Sequence, residues 1–305
     1  MLKMTSACTP HFTWQLRTRA LQLGQRGRVM GIVNVTPDSF SDGGLYLGTD
    51  HAVAHALRLL DEGADIVDLG GESTRPGAAA GTSDAISADE EQRRVLPVVQ
   101  GVLRARPNAI VSIDTYRATT ARAAVQAGAE IVNDVSGGLW DDAMLPLCAE
   151  LACGVIVMHT RGLPTEWEIQ PRLPDAEVVV FVRQALQQRL QTALAAGIAR
   201  DRIVLDPGFG FGKRGPENWA LLAGLHQFAE LRMPLMVGLS RKGFLTGHST
   251  AAADRDAQTH AANRDAIAAG AHLLRVHDVR GAIAAFSAAS TAPQAMLEGE
   301  GKAKT

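Results

Sequence analysis

Short apolar segments alternate with longer amphipathic segments along most of this chain. The apolar segments are rich in Val, Ile and Leu, which is typical of strands buried on both faces. The longer segments repeat apolar side chains at intervals of three and four residues, which predicts helices. The predicted strands are residues 29–35, 64–71, 110–113, 131–135, 154–158, 203–205, 235–239 and 273–276. The predicted helices are residues 50–62, 89–105, 117–127, 142–152, 175–196, 219–229, 256–269 and 279–289.

This alternation predicts an α/β fold with a parallel sheet, because each helix follows a strand closely enough to form a βαβ unit. Eight such units close into a (β/α)8 TIM barrel of about 250 residues. The alternative is an open doubly wound sheet, but the first strand is not followed by the G-x-G-x-x-G fingerprint of dinucleotide-binding sheets. We expect an N-terminal extension with a short β-hairpin over residues 1–28, the barrel over residues 29–292 and a flexible tail over residues 293–305.

Polar side chains follow every predicted strand at its carboxyl end, where barrel enzymes carry their active sites. A single polar residue at a strand end is usually structural, so the recurrence at eight strands carries the inference. The residues at these ends are Asn34, Thr74, Arg75, Asp114, Asn133, His159, Asp206, Ser240, Lys242, Arg275 and His277.

Two kinds of chemistry are indicated at these strand ends. Asp114, Asn133 and Asp206 suit a flat heterocycle with several N–H groups, since a carboxylate accepts two parallel hydrogen bonds. Their alternative role is helix capping, which we prefer for the neighbouring Asp134. Cationic side chains form a second set that fits a phosphate or diphosphate, and two of them alternate along one strand and so share a face. This second set is Arg75, Lys242, Arg275 and His277.

The loop GFGFGK at Gly208–Lys213 lacks the spacing of a nucleotide-binding P-loop. We expect it to bring Phe211 over a bound ring. Met158 and His159 are interpreted as walls of the site.

Composition narrows the class of protein further. Lys and Arg number 30 against 32 Asp and Glu, so no overall field favours nucleic acid or an anionic membrane. Three cysteines without C-x-x-C spacing indicate a reduced compartment, and neither a signal peptide nor a membrane span is predicted. We therefore expect a cytoplasmic protein.

Seven motifs in this order resemble those of dihydropteroate synthase, a family of folate-pathway enzymes. They are VMGIVNVTPDSFSDGG, GGESTRPG, SIDT, IVND, LDPGFGFGK, SRK and RVHD, and they span residues 29–278. The resemblance implies condensation of 6-hydroxymethyl-7,8-dihydropterin diphosphate with 4-aminobenzoate, with Mg²⁺, to 7,8-dihydropteroate and diphosphate. The implied mechanism is dissociative, and sulfonamides are the implied inhibitors.

The resemblance also implies roles for individual residues. The catalytic set is Asn34, Asp42, Lys242, Arg275 and His277, with Asn34 as the metal ligand. Residues 36–44 are a mobile lid, and either Asp38 or Asp42 is the lid carboxylate that takes part in the reaction. The pterin is held by Asp114, Asn133, Met158, Asp206, Phe211 and Lys242. The diphosphate is held by Asn34, Arg75, Arg275 and His277. The aminobenzoate is held by Thr74, Arg75, Pro76, Phe211 and Ser240.

The chain departs from the family pattern in two places. The loop at residues 78–88 is longer than expected, and Tyr116 and Arg117 stand where a small residue and Lys are commoner. A corrinoid-dependent methyltransferase with a pterin substrate and a pterin-binding protein without catalysis are the alternatives. Small-molecule substrates and a homodimer are the expected partners. An apolar face on the last helices suits either a dimer interface or packing on the barrel; its residues are Ile267, Leu273, Ile283 and Phe286.

Overall fold

The computed structural model describes residues 11–24, 27–36, 44–246 and 252–291. It begins with a hairpin of two antiparallel strands, followed by eight parallel strands separated by helices. The hairpin strands are β1 Phe12–Gln15 and β2 Ala20–Leu23. The parallel strands are β3 Arg28–Asn34, β4 Ile66–Gly70, β5 Val111–Asp114, β6 Ile131–Asp134, β7 Gly154–Met158, β8 Ile203–Asp206, β9 Met236–Val237 and β10 Leu273–Val276.

Helices follow each parallel strand, as the pattern predicts. They are α1 Gly44–Asp61, α2 Ala88–Ala105, α3 Ala118–Gln126, α4 Met144–Leu151, α5 Asp175–Ala195, α6 Pro216–Ala223, α7 Gly243–Thr246, α8 Ala252–Ala268 and α9 Val279–Thr291. Two 3₁₀ turns, Arg200–Arg202 and Leu225–Leu231, complete the described helical structure.

The eight parallel strands form one sheet in the order β8-β7-β6-β5-β4-β3-β10-β9. A parallel bridge between Leu205 of β8 and Leu235, next to β9, joins the two ends of this sheet. The sheet is therefore closed, and the predicted (β/α)8 barrel is confirmed in place of the open doubly wound alternative.

Alternate residues of each strand point into the barrel, because side chains in a strand alternate between its two faces. At the amino-terminal end these inward residues are apolar and buried, and the hairpin packs its own apolar side chains against them. This lower cluster contains Trp14, Leu16, Leu21, Leu23, Met30, Ile66, Ile131, Ile156, Val204, Met236 and Leu273. The hairpin therefore closes the amino-terminal end of the barrel.

Hydrogen bonds hold the hairpin in this position. The indole Nε1 of Trp14 donates to the carbonyl oxygen of Arg202 at 2.8 Å. The backbone N–H and the hydroxyl of Thr18 both donate to the carboxylate of Glu130, at the start of β6. Arg202 in turn donates to the carbonyl oxygen of Leu16 at 2.6 Å.

A second apolar layer lies between the outer face of the strands and the helices. Ile267, Ile283 and Phe286 pack against this layer, and Leu273 lies inside the barrel at β10. Leu273 is thus not on a helix, and the other three side chains contribute to barrel packing.

Several predicted elements are wrong in their bounds. Helices α1 and α8 begin at Gly44 and Ala252, six and four residues before their predicted starts. The helix predicted at 219–229 begins earlier, at Pro216, because proline fits the first turn of a helix, and Gly224 ends it before a 3₁₀ turn. The strand predicted at 235–239 is reduced to Met236–Val237, since Leu239 already accepts a turn hydrogen bond from the backbone N–H of Lys242.

Some predicted features lie outside the described residues, namely the tail at 293–305 and the lid residues Asp38 and Asp42. Within the described part of the chain, none of the helices has the length and apolar character that crossing a membrane requires.

Trp14→Ala should strongly destabilise the protein, because the indole is 0% exposed and closes the barrel. Removal of a buried tryptophan side chain costs about 3–5 kcal/mol in the free energy of unfolding. Urea denaturation measures this loss. The matched control is Trp219→Ala, since Trp219 is 48% exposed and its loss should cost much less. Equal losses for the two variants would contradict the proposed closure by the hairpin.

Candidate active site

Strand register brings several of the predicted residues to one level of the barrel. Asn34 pairs with Gly70, Gly70 pairs with Asp114, and Asp114 pairs with Asn133. These positions all point inward at the carboxyl end, where Gly70 leaves room beside the Asp114 side chain. The polar groups therefore line the mouth of the barrel opposite the hairpin.

Arg275 is the central cation of the site. Its Nε donates to Asp68 Oδ2 at 2.7 Å, and its Nη2 donates to Asp114 Oδ2 at 2.5 Å. Although burial opposes its charge, these two carboxylates raise the pKa of Arg275 above its ordinary value. Burial raises the pKa of Asp114 to about 7, while the charge of Arg275 works in the opposite direction.

Asp68 was missed by the sequence reasoning. It is 0% exposed in the middle of β4 and also accepts a hydrogen bond from the Asn133 amide at 3.0 Å. Asp68 thereby orients both Asn133 and Arg275, two of the predicted ligands. A detectable signal was present, because an acidic residue within a buried apolar strand requires a partner.

Asp206 and Lys242 form the other side of the site. Asp206 Oδ1 accepts a hydrogen bond from the Gly208 backbone N–H at 2.7 Å. Burial raises the pKa of Asp206 to about 6, and burial together with the charge of Arg275 lowers the pKa of Lys242 to about 8. The Lys242 ammonium lies 4.3 Å from the centroid of the Phe211 ring. Phe211 therefore stands beside the polar cluster.

Ser240 and His277 form a hydrogen-bonded pair. The backbone N–H of His277 donates to Ser240 Oγ at 3.2 Å, and Ser240 Oγ lies 2.9 Å from His277 Nδ1. Burial lowers the pKa of His277 to about 3, so the ring is neutral near pH 7. We assign the Ser240 hydroxyl as the donor to Nδ1, which places the ring proton on Nε2.

The turn that follows Ser240 is held from outside the barrel. Arg241 adopts a φ of 58°, a strained value for a non-glycine residue. Its side chain binds both carboxylate oxygens of Asp256 at 2.9 and 3.1 Å, and its backbone N–H donates to Thr259 Oγ1. Helix α8 thus fixes the turn between Ser240 and Lys242.

The loop after β8 is anchored by Lys213, a second residue missed from the sequence. Its ammonium nitrogen lies 2.9 Å from His159 Nδ1 and donates to the Phe211 carbonyl oxygen at 2.9 Å. Burial lowers the pKa of both Lys213 and His159 well below their ordinary values. Gly208, with a φ of 68°, passes so close to the His159 carbonyl oxygen that a side chain would clash.

Met158 points into the barrel, whereas Asp134 points away from it. Met158 is 3% exposed and pairs in register with Asp206. Asp134 points to the other face of β6 and accepts hydrogen bonds from the backbone N–H groups of Ser136 and Gly138. Asp134 therefore organises the loop after its strand. The preferred role of helix cap is wrong, because α4 begins after Ala143 and has no side-chain cap.

The remaining predicted ligands are not drawn into this cluster. Asn34, Arg75 and Pro76 are exposed and Thr74 is half-buried. Within the described residues, no hydrogen bond or ion pair links the side chains of Asn34, Thr74 or Arg75 to Asp114, Asp206 or Arg275. Asp42 lies outside the described residues.

The cluster combines buried acceptors with buried cations at one end of a barrel. Ionised carboxylates can accept N–H groups of a heterocycle, and Arg275, Lys242 and His277 can donate to an anion. In the part of the chain that the structure describes, no three His, Cys, Asp or Glu side chains form a metal-binding group. The arrangement therefore suits a polar ring joined to an anionic group.

Comparison with known proteins agrees with this chemistry. The family model described as "Pterin binding enzyme" matches residues 30–277. The dihydropteroate synthase of Mycobacterium leprae is 45% identical over 268 residues, covering 85% of this chain and 91% of that protein. The structure of Xanthomonas albilineans dihydropteroate synthase with 4-aminobenzoic acid has a TM-score of 0.82 and 43% identity, covering 93% of this chain and 100% of the other.

The Xanthomonas albilineans enzyme in complex with 7,8-dihydropteroate has a TM-score of 0.78 and 41% identity, covering 92% of this chain and 100% of the other. The fold and the site define a barrel enzyme with a buried polar pocket. The chain belongs to the family of pterin binding enzymes, and the relatives named here are dihydropteroate synthases.

Asp68→Ala should destabilise the protein, because it leaves the buried Arg275 with one carboxylate and the Asn133 amide without its acceptor. Breaking a buried ion pair by removing one partner costs about 3–5 kcal/mol in the free energy of unfolding. Urea denaturation of Asp61→Ala provides the matched control. Asp61 pairs with Arg106 at 3.0 Å on the surface, where such pairs contribute at most about 1 kcal/mol. A cost for Asp68→Ala no larger than for the control would contradict this role.

Proposed function

We propose that the protein is a dihydropteroate synthase, which joins 6-hydroxymethyl-7,8-dihydropterin diphosphate to 4-aminobenzoate with release of diphosphate. The observation that carries the proposal is the cluster of Asp114, Asp206, Lys242 and Arg275 at the carboxyl end of the barrel. The family and its named relatives support the same reaction.

The pterin ring fits the acceptor side of the cluster. Ionised Asp114 and Asp206 accept its amino and ring N–H groups. The Asn133 amide nitrogen donates to Asp68, so its carbonyl oxygen is the group that faces a further N–H. In this proposal, Met158 and Phe211 cover the faces of the ring, and Lys242 donates to a ring acceptor.

The diphosphate fits the donor side of the cluster. Arg275 uses Nε and Nη2 for the two carboxylates, and its Nη1 makes no hydrogen bond to any residue that the structure describes. His277 carries its proton on Nε2, so the neutral ring can also donate to a phosphate oxygen. We assign Arg275, His277, Arg75 and Asn34 to the diphosphate.

The residues present fit a magnesium ion that arrives with the diphosphate. Mg²⁺ keeps several waters and binds few protein oxygens together with substrate phosphates. The exposed Asn34, at the end of β3, offers such an amide oxygen. When bound, Mg²⁺ neutralises charge on the leaving group.

Bond breaking precedes bond making in the proposed mechanism. The bond between the exocyclic carbon and the diphosphate oxygen breaks, and its electron pair leaves with the diphosphate towards Arg275 and His277. The electron-rich dihydropterin stabilises the resulting carbocation. The aniline nitrogen of 4-aminobenzoate then attacks this carbon and loses its proton to solvent. Asp42 is our candidate for electrostatic stabilisation of the cation, and lid closure over residues 36–44 is proposed to exclude water.

Thr74, Arg75, Pro76, Phe211 and Ser240 are proposed to frame the aminobenzoate. Because the Ser240 hydroxyl already donates to His277, we expect it to accept a hydrogen bond or to exchange partners when the carboxylate binds.

We also propose a homodimer and a cytoplasmic location. Size-exclusion chromatography with light scattering measures the oligomeric state, and cell fractionation measures the location.

The two alternative functions make less use of this site. A corrinoid-dependent methyltransferase needs the pterin carboxylates but not the donors Arg275 and His277. A binding protein without catalysis needs no leaving-group contacts. The presence of both sets of groups favours the synthase.

Purified protein with Mg²⁺ should release diphosphate continuously only when both substrates are present, because the attack of aminobenzoate completes each turnover. A coupled diphosphate assay measures this rate, and a sulfonamide should raise the apparent KM for aminobenzoate. The double variant Asn34→Ala, Arg275→Ala should lose nearly all turnover. Arg122→Ala is the control, since Arg122 pairs with Glu150 on the surface. Wild-type turnover by the double variant would falsify the assignment.

Pterin affinity should fall as the pH falls from 8 to 5, because protonation removes the acceptor charge of Asp114 and Asp206. Their raised pKa values of about 7 and about 6 place the loss in this range, well above the ordinary range of a carboxylate. Isothermal titration with 6-hydroxymethylpterin measures the affinity. Asp114→Asn should bind more weakly at pH 8 and lack the step near pH 7. Asp201→Asn, on the surface, should follow the wild type. A pH-independent wild-type affinity would count against both carboxylates.

A further inference from the structure

The loop between β4 and α2 carries Thr74, Arg75 and Pro76 and is fastened to the rest of the barrel at several points. The Gly77 backbone N–H donates to the Pro164 carbonyl oxygen at 3.1 Å. Ser87 caps α2 at the far end of the loop. The strongest attachments, however, come from two consecutive residues on the neighbouring β5–α3 connection.

Tyr116 holds the middle of this loop. Its hydroxyl oxygen accepts a hydrogen bond from the Gly81 backbone N–H at 2.9 Å. Its ring packs edge-to-face on Trp140, with ring centroids 5.1 Å apart. Gly81 has a φ of 79°, and a side chain there would lie 2.6 Å from Leu163, so only glycine fits this close approach.

Arg117 holds both ends of the same loop. One guanidinium nitrogen lies 2.8 Å from a Glu72 oxygen and 3.0 Å from a Glu91 oxygen, and another donates to the Ile86 carbonyl oxygen at 2.5 Å. Glu72 also accepts a hydrogen bond from the Ile86 backbone N–H at 3.3 Å. Residues 72 and 86 are thus joined through one guanidinium.

The two anchors support each other. The Arg117 guanidinium carbon lies 4.4 Å from the centroid of the Tyr116 ring. Thr120 donates to Glu91 at 2.7 Å, which fixes the carboxylate that faces Arg117. The whole network is largely buried, since the Arg117 side chain is 13% exposed and that of Glu91 is 1% exposed. Such buried, mutually bonded groups hold one geometry.

The position of these anchors in the chain links the two substrate sides. Asp114, at the end of β5, is separated from Tyr116 by one residue. The segment that places the pterin carboxylate therefore also fastens the loop that carries residues 74–76.

We infer that Tyr116 and Arg117 are positioning residues for the aminobenzoate side of the site, which hold residues 74–76 in place through Glu72, Gly81 and Ile86. This inference rests on the proposed function. Two of the contacted residues, Gly81 and Ile86, lie within the loop at residues 78–88.

Steady-state kinetics on the full-length enzyme test the inference with Tyr116→Phe and Arg117→Met. Tyr116→Phe removes one oxygen and keeps the ring against Trp140, so it should fold. Each variant should raise the KM for aminobenzoate by about fivefold or more, with kcat and the KM for the pterin diphosphate within about twofold, since lost uniform binding raises KM alone. Arg117→Lys should restore part of the effect, because lysine can pair with a carboxylate but cannot also reach Ile86.

Arg122→Met is the matched control, because Arg122 lies on α3, which begins directly after Arg117, and pairs with the exposed Glu150. Hydrogen exchange provides a second readout that does not depend on activity. Amides of residues 77–86 should exchange faster in Tyr116→Phe and Arg117→Met than in the wild type and the control. An unchanged aminobenzoate KM, or an equal rise in both KM values, would overturn the inference. A wild-type enzyme without turnover would instead refute the proposed function, while faster exchange in the variants would still demonstrate the loop anchor.

Discussion

The architecture of the site depends on one guanidinium. Arg275, on the last strand of the barrel, bonds to Asp68 of β4 and Asp114 of β5, so a single side chain spans the opening of the barrel. Asp68 is fully buried and the other two side chains are largely buried, so each charge would be costly without its partner. The same contacts orient Asp114 and, through Asp68, Asn133. Loss of Arg275 would therefore disturb the pterin side and the diphosphate side at once.

The amino-terminal end of the barrel contributes mainly to stability, and the carboxyl-terminal end carries the candidate active site. At the amino-terminal end, the hairpin with Trp14 and Leu16 completes an apolar layer. At the carboxyl-terminal end, inward positions of the same strands carry acids and bases. Each of these groups is held by a neighbour, as with Asp206 by the Gly208 backbone and Ser240 by His277. The apolar end provides the rigidity that buried charges at the other end require.

Much of this arrangement was predictable because strands that alternate with helices place their carboxyl ends together. Asp114, Asn133, Asp206, Lys242 and Arg275 were found by that rule. An acidic residue within the apolar strand β4 signals that Asp68 needs a partner, but no local pattern identifies that partner. The same holds for Lys213, whose contact with His159 joins residues far apart in the chain. The 3₁₀ turn at Leu225–Leu231 was mistaken for helix, because both place apolar residues at intervals of three. The hydrogen bond between Ser240 and His277 depends on the geometry of the turn at residues 240–242, which secondary-structure propensities do not predict.

A crystal structure of the protein with 7,8-dihydropteroate tests the central claim most directly. The account predicts that the pterin ring lies at the carboxyl ends of β5, β6 and β8, with its N–H groups bonded to Asp114, Asn133 and Asp206. The aminobenzoate part should extend towards Phe211 and Ser240, with residues 74–76 beside it. A pterin ring bound away from these three residues, or Arg275 separated from both Asp68 and Asp114, would contradict the account.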